Sequence, residues 1–241
     1  MGRHQRLAEL ADVGTEDLVV ADLGCGTGRT VRALLASSPG PRLVHAVDAT
    51  SDLDDDLLHD ARVVSRVADL DAPLPFADAS MDRIVSMNVA ENLADPAEFL
   101  RQCHRVLRVG GLAVIGHSDF DTALFTSPDD ELTRLLVDRF VAEVPHWQNR
   151  ADGFMGRKLL SLGVDSPLTL VDVHSWADPH RRFDEGSLAW KIAMGMLAAV
   201  RDDPQLTARA AGWVESVRSL ADAGRFLFSI TDVVIVLRRD S

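Results

Sequence analysis

Through its first half the chain alternates short runs of Val, Leu and Ile with stretches of helical spacing. Predicted strands fall at Leu18–Leu23, Leu43–Val47, Val63–Ala68, Arg83–Met87 and Leu112–Gly116, with helical patterns between most of them. That alternation is the signature of a parallel α/β sheet. The clearest helix is Asp95–Arg108, DPAEFLRQCHRVLR. Asp95 suits the N-cap, Pro96 the first helical position, and Glu98 completes a capping box. Phe99, Leu100, Cys103, Val106 and Leu107 share one face, and Gly110-Gly111 is predicted to end the helix before the next strand.

The pattern changes after residue 117. Residues 118–165 read as one or two helices with polar links, and Pro167–Trp176 as a strand. Glu185–Leu220 reads as mostly helical with a division near Asp202–Pro204. RFLFSITDVVIVLRR then closes as a long strand, antiparallel beside its predecessor. No repeat or linker separates these parts. The expectation is one domain, 1–241, with a core at 15–117 and a helical cap after the fifth strand, at 118–165 and 184–222.

Composition narrows the partners. Apolar residues at 46% and charged residues at 26% are ordinary for a globular protein, but the formal charge is −12. Phosphate binding relies on clustered Lys and Arg, so nucleic acid and anionic membrane surfaces are disfavoured. Two cysteines, Cys25 and Cys103, are too few for a disulfide framework or a Cys-rich metal site. The longest apolar stretch, Ile192–Val200, is nine residues, against the ~20 that span a bilayer. The N-terminus lacks an apolar signal core, and a cytoplasmic protein is the simplest reading.

The chemistry concentrates in VVADLGCGTGRT, Val19–Thr30. A glycine-rich turn from strand to helix lets backbone approach a ligand and aims N–H groups at an anion. The spacing is Gly24, Gly26, Gly28, with Arg29 where a dinucleotide fingerprint wants a third small residue. Asp48, at the end of the second strand, stands where a carboxylate accepts ribose hydroxyls, or it caps a helix starting near Thr50. The acidic run Asp52–Asp60 reads as a solvated face.

These segments, with VHAVDAT and the stretch from Ala68 to Gly116, ADLDAPLPFADASMDRIVSMNVAENLADPAEFLRQCHRVLRVGGLAVIG, resemble the class I S-adenosylmethionine-dependent methyltransferases of the small-molecule type. The resemblance covers about 15–117, and it is only loose beyond. It implies a Rossmann-like, doubly wound, mostly parallel seven-stranded sheet and S-adenosylmethionine as cofactor. It also implies roles. Asp22 would steady the turn and reach the methionine amino group through water. Backbone at Gly24, Cys25 and Gly26 would meet the methionine part. Asp48 would hold the ribose with Ala49 against adenine, Asp69 would accept from the adenine amino group beside Leu70, and Asn88 would offer backbone oxygen to the amino group. No metal is required. The chain departs from the family pattern in Val109 for a Pro, in Asn92 where relatives often carry a His, and in the absence of Tyr.

Acceptor chemistry is expected just after the fifth strand, in GHSDFDTALF. His117 is the candidate base by pKa class and position, or else a His tied into the loop. Asp119, a second catalytic candidate, and Asp121 either orient an acceptor or cap the next helix. Phe120, His146 and Trp147 are candidate pocket residues. The expected reaction is methyl transfer to O or N of a small molecule. The alternatives are a non-methylating enzyme using the same cofactor, an NAD-dependent oxidoreductase, and a cofactor-binding partner protein without catalysis.

Overall fold

The computed structural model describes residues 2–14, 17–142 and 152–241. In chain order the elements are α1 (Arg3–Leu10), β1 (Val19–Leu23), α2 (Arg29–Leu35), β2 (Leu43–Asp48), α3 (Asp55–Leu58), β3 (Val63–Val67) and β4 (Met81–Met87). A 3₁₀ turn (Ala90–Asn92) leads to α4 (Pro96–Val106), β5 (Leu107–Phe125), α5 (Asp130–Ala142) and α6 (Met155–Val164). Then come β6 (Thr169–Ala177), α7 (Leu188–Ala199), α8 (Pro204–Asp222) and β7 (Phe228–Arg238).

The seven strands are ordered β3-β2-β1-β4-β5-β7-β6. The pairs β1/β2, β1/β4, β2/β3 and β4/β5 are all parallel. β7 runs against β5: Arg239 donates to Gly111 O, while at the other end Thr126 donates to Leu227 O. β1 is buried along its whole length, as a central parallel strand covered on both faces must be. The strand order reverses between β1 and β4. The crevice beyond their carboxyl ends is where α/β sheets of this kind hold ligands.

Two compact units divide the chain. One comprises Met1–His117, Lys158–His174 and Val233–Ser241, the other Ser118–Arg157 and Ser175–Asp232. The first holds the parallel strands. The second has its own apolar core, in which Leu136 and Val137 of α5, Met196 of α7 and Val217 of α8 pack with Phe125 and Phe228. Its Trp213 is buried, and the indole Nε1 donates to Thr133 Oγ1 at 2.8 Å.

Three readings of the sequence are corrected. The capping box at α4 is half made: Asp95 accepts from Glu98 N at 2.9 Å, but the Glu98 side chain turns to Arg101 and Gln102. The glycine pair does not separate helix from strand, because α4 stops at Val106 and β5 starts at Leu107. Residues 118–125 extend β5 and are not part of the helices and polar links expected from 118 onward. Polar residues there read as a loop in the sequence, yet Ser118 and Asp119 are buried with partners. Ser118 Oγ donates to Asp232 Oδ1 at 2.7 Å, and Asp232 is itself buried.

Candidate functional site

The glycine turn follows β1 and is tied to the end of β2. Gly24 and Cys25 N–H both donate to Val47 O, at 2.8 and 3.0 Å. Gly24 has φ +81°, and a Cβ there would lie 2.1 Å from Val89 Cγ2, so this position needs glycine for both conformation and space. Val89 follows β4, so one contact joins the ends of β1 and β4. At Gly26 a Cβ would meet nothing within 4 Å. Its N–H donates to Asp48 Oδ2 at 2.8 Å, and Asp48 Oδ1 accepts from Thr50 N and Oγ1 at 3.2 and 3.3 Å. Asp48 thus orients the turn, and its neighbour Ala49 is exposed.

Asp22 is the chemical oddity of this region. It is 1% exposed, and one oxygen, Oδ2, has no hydrogen-bond partner. Burial, and then the charge of Asp48, push its carboxyl up to about 7, against the Val31 backbone N–H, which favours the ionised form. Buried polar groups are normally satisfied. An orphan carboxylate oxygen beside a glycine turn fits a ligand that brings donors or positive charge. Cys25 is a thiol, pushed up to about 12 by burial and by Asp22 and Asp48, so it is no nucleophile.

Asp48 O accepts from Ala68 N at 2.9 Å, which sets the following Asp69 and Leu70 beside the same end of β2. Asp69 is exposed and accepts from Asp71 N at 2.9 Å, while Leu70 is half-buried. Asn88, after β4, has φ +58°, a conformation Asn tolerates. Its N–H donates to Gly116 O at 3.0 Å, continuing the pairing of β4 with the middle of β5. All nine residues assigned to the cofactor therefore lie at or just past the carboxyl ends of β1, β2, β3 and β4.

His117, next along β5, is wholly buried, and its Nε2 lies 3.5 Å from Glu91 Oε2 on the 3₁₀ turn. The sequence reading missed Glu91. Its one signal is a carboxylate between Ala90 and Leu93, both buried. His4 was also missed. Its Nδ1 meets Thr30 Oγ1 on the first turn of α2 at 2.9 Å, and burial, then Arg3 and Arg29, push the ring down to about 4.

The candidates of the second unit are arranged differently. Asp119 is 2% exposed and receives Arg157 Nε and Nη2, both at 2.7 Å, and Arg157 N at 3.0 Å. Asp121 takes Arg157 Nη2 at 2.9 Å and pairs with Arg134; these guanidinium partners hold its carboxyl below the usual range. Phe120 is a buried residue of this unit. It packs in the apolar core, 5.4 Å from the Phe140 ring. His146 and Trp147 lie outside the described residues.

Residues 21–115 match the methyltransferase domain family model. An uncharacterized methyltransferase of Mycolicibacterium vanbaalenii is 34% identical over 53% of this chain and 49% of its own length. A ubiquinone biosynthesis O-methyltransferase from a Caulobacter species is 34% identical over 47% of this chain and 48% of its own. The chain thus spans about half the length of these curated relatives. Among solved structures, YcgJ of Bacillus subtilis superposes with a TM-score of 0.62 over the full length of both chains at 18% identity, a likeness of fold.

Proposed function

We propose that this chain, which belongs to the class I S-adenosylmethionine-dependent methyltransferases, transfers a methyl group to an oxygen or nitrogen of a small molecule. The observation that carries the reading is the orphan carboxylate oxygen of Asp22 beside a glycine turn whose middle glycine faces open space. The family's cofactor is S-adenosylmethionine, and the residues present fit it. Its amino group would supply the donors Asp22 lacks. Asp48 would take the ribose hydroxyls with its remaining lone pairs, Asp69 and Leu70 the adenine edge and face, and Asn88 the amino group through its backbone oxygen.

When bound, S-adenosylmethionine supplies a methyl already activated on a sulfonium, so the protein's work is alignment and handling of the acceptor's proton. That proton goes to the buried His117–Glu91 pair in this reading. Asp119 carries three donors from Arg157 and serves to shape the segment rather than move protons.

A small acceptor agrees with the charge of −12, which opposes nucleic acid. Oxygen as the methylated atom is supported by the Caulobacter relative's name. The setting is the cytoplasm, where the free thiols of Cys25 and Cys103 would stay reduced. Among the described residues no helix is long and apolar enough to cross a membrane.

Titration calorimetry with S-adenosylhomocysteine and with NAD tests the cofactor, and transfer of labelled methyl to small phenols and amines tests the reaction. Heat from S-adenosylhomocysteine alone is expected. Comparable affinity for NAD would overturn the reading in favour of an oxidoreductase. Tight S-adenosylhomocysteine binding without transfer to any small acceptor would point to the cofactor-binding partner.

A further inference from the structure

The buried pair beside the glycine turn is unequal. Glu91 comes two residues after Val89, whose Cγ2 fills the space that a Cβ on Gly24 would occupy. Its side chain retains 9% exposure, whereas the His117 side chain has none. His117 Nε2 lies 3.5 Å from Glu91 Oε2, and the residue before it on β5, Gly116, accepts a hydrogen bond from Asn88 N–H just past the end of β4. A group that touches an acceptor must be reachable, and of the two only the carboxylate is.

We infer that Glu91 is the group that meets the acceptor's O–H or N–H, and that His117 is a positioning residue holding the Glu91 carboxylate in place. The inference rests on the methyltransferase reading above and specifies its acceptor-facing atom. In the step, the acceptor's lone pair forms a bond to the methyl carbon as the carbon–sulfur bond breaks, and the bonding pair stays on sulfur. The acceptor's proton passes to a Glu91 oxygen. The donor thus loses a cationic methyl, the acceptor loses a proton, and the carboxylate gains it. The acceptor class that follows carries both a lone pair and a hydrogen on its nucleophile: phenols, alcohols, and neutral primary or secondary amines. Tertiary amines and thioethers, which lack that hydrogen, gain nothing from this residue.

The exchanged partner separates the two roles. With labelled methyl on S-adenosylmethionine and a fixed panel of phenols, catechols and primary and secondary amines, Glu91→Gln should lower kcat roughly 10²–10⁴-fold, the usual range for a lost general base. S-adenosylhomocysteine affinity measured by calorimetry should be unchanged. His117→Leu should lower turnover too, but His117→Gln, whose amide N–H can donate towards the carboxylate and which is no base, should restore most of it. If His117→Gln is as inactive as His117→Leu, His117 is the base and the inference is overturned. Normal turnover in Glu91→Gln would also overturn it. Loss of S-adenosylhomocysteine binding by the native protein would instead break the cofactor reading. Ring ¹⁵N resonances of His117 give a readout without any acceptor: they should move in Glu91→Gln relative to the native protein, and unmoved resonances would dissolve the pair.

Discussion

Asp22 and Asp119 are both buried aspartates, one in each compact unit, and they are held in opposite ways. At the glycine turn Asp22 has an oxygen with no partner, and its carboxyl is pushed up to about 7. Asp119 has a bidentate guanidinium and a backbone N–H on its oxygens. Burying a carboxylate is costly unless it is paired. The paired one is a fastening, and it explains why Gly156 must be small, since a Cβ there would lie 2.7 Å from Asp119 Cβ. The unpaired one leaves a cost that a ligand can relieve. Burial alone therefore does not mark a functional carboxylate. An unmet hydrogen-bonding demand does.

The largest expected effect comes from the unpaired member. In the unfolded chain Asp22 would titrate near its ordinary value of 3.8, and in the native protein near 7. Between those values the native state binds a proton that the unfolded state has released, so stability without cofactor falls as pH rises from about 4 to 7. Above that window the full penalty is present, at most about 4 kcal/mol. Asp22→Asn should therefore stabilise the cofactor-free protein in urea melts near pH 8, and change little near pH 4. The same substitution should weaken S-adenosylhomocysteine binding. Equal stabilities near pH 8 would mean that Oδ2 is satisfied after all, and the contrast with Asp119 would collapse.

The paired member should fail by stability alone. Arg157→Leu leaves Asp119 buried without its partner, which typically costs about 3 kcal/mol, while S-adenosylhomocysteine affinity per folded molecule stays at its native value. Arg157 itself is half-exposed, so the penalty falls on the aspartate. If Asp119→Asn in the Arg157→Leu background does not recover part of the loss, the buried charge is not its cause.

Much of the glycine-turn region was legible because its signals are local. Strand, glycines and Asp48 lie within thirty residues, and the Asp95-Pro96 start of α4 and the Asp203-Pro204 start of α8 are written in adjacent residues. The Asp119 region was not. Its partner Arg157 is 38 positions away, so the sequence shows an acid after a strand and nothing to neutralise it. The same blindness shortened β5: Ser118 reads as a loop residue until Asp232, 114 positions on, is seen to accept its hydroxyl. Glu91 and His4 escaped for the related reason that burial of a polar residue on a short turn or at a chain end leaves little periodic trace.

Within the turn, two glycines sharpen the distinction between structural demand and ligand demand. Gly24→Ala meets both the left-handed φ and the Val89 methyl, and should cost about 2 kcal/mol of stability in chemical denaturation. Gly26→Ala has open space, so it should cost about 1 kcal/mol, while its added methyl stands where the proposed cofactor would approach the backbone. The expected order is thus reversed between the two assays: Gly24→Ala is worse in stability, and Gly26→Ala is worse in cofactor affinity relative to its stability loss. A matching order in both would make the turn a packing feature only.

At Asp48 the expected effect is modest, and it links the two properties of the turn. Asp48→Ala removes the acceptor for Gly26 N–H and the charge proposed to hold the ribose. Hydrogen bonds to charged groups contribute about 1.5–3 kcal/mol, but the freed Gly26 N–H can turn to water, so a loss near the lower end is expected. That corresponds to roughly ten-fold in S-adenosylhomocysteine affinity by calorimetry. Asp48 is also the second cause, after burial, of the raised Asp22 carboxyl. Removing it should lower the Asp22 titration, so the pH window over which the cofactor-free protein loses stability should narrow from its upper edge. Ten-fold weaker binding with an unmoved window would leave Asp48 as a ribose ligand that does not communicate with Asp22. A shifted window with unchanged affinity would place the ribose elsewhere and leave Asp48 as the fastener of the turn.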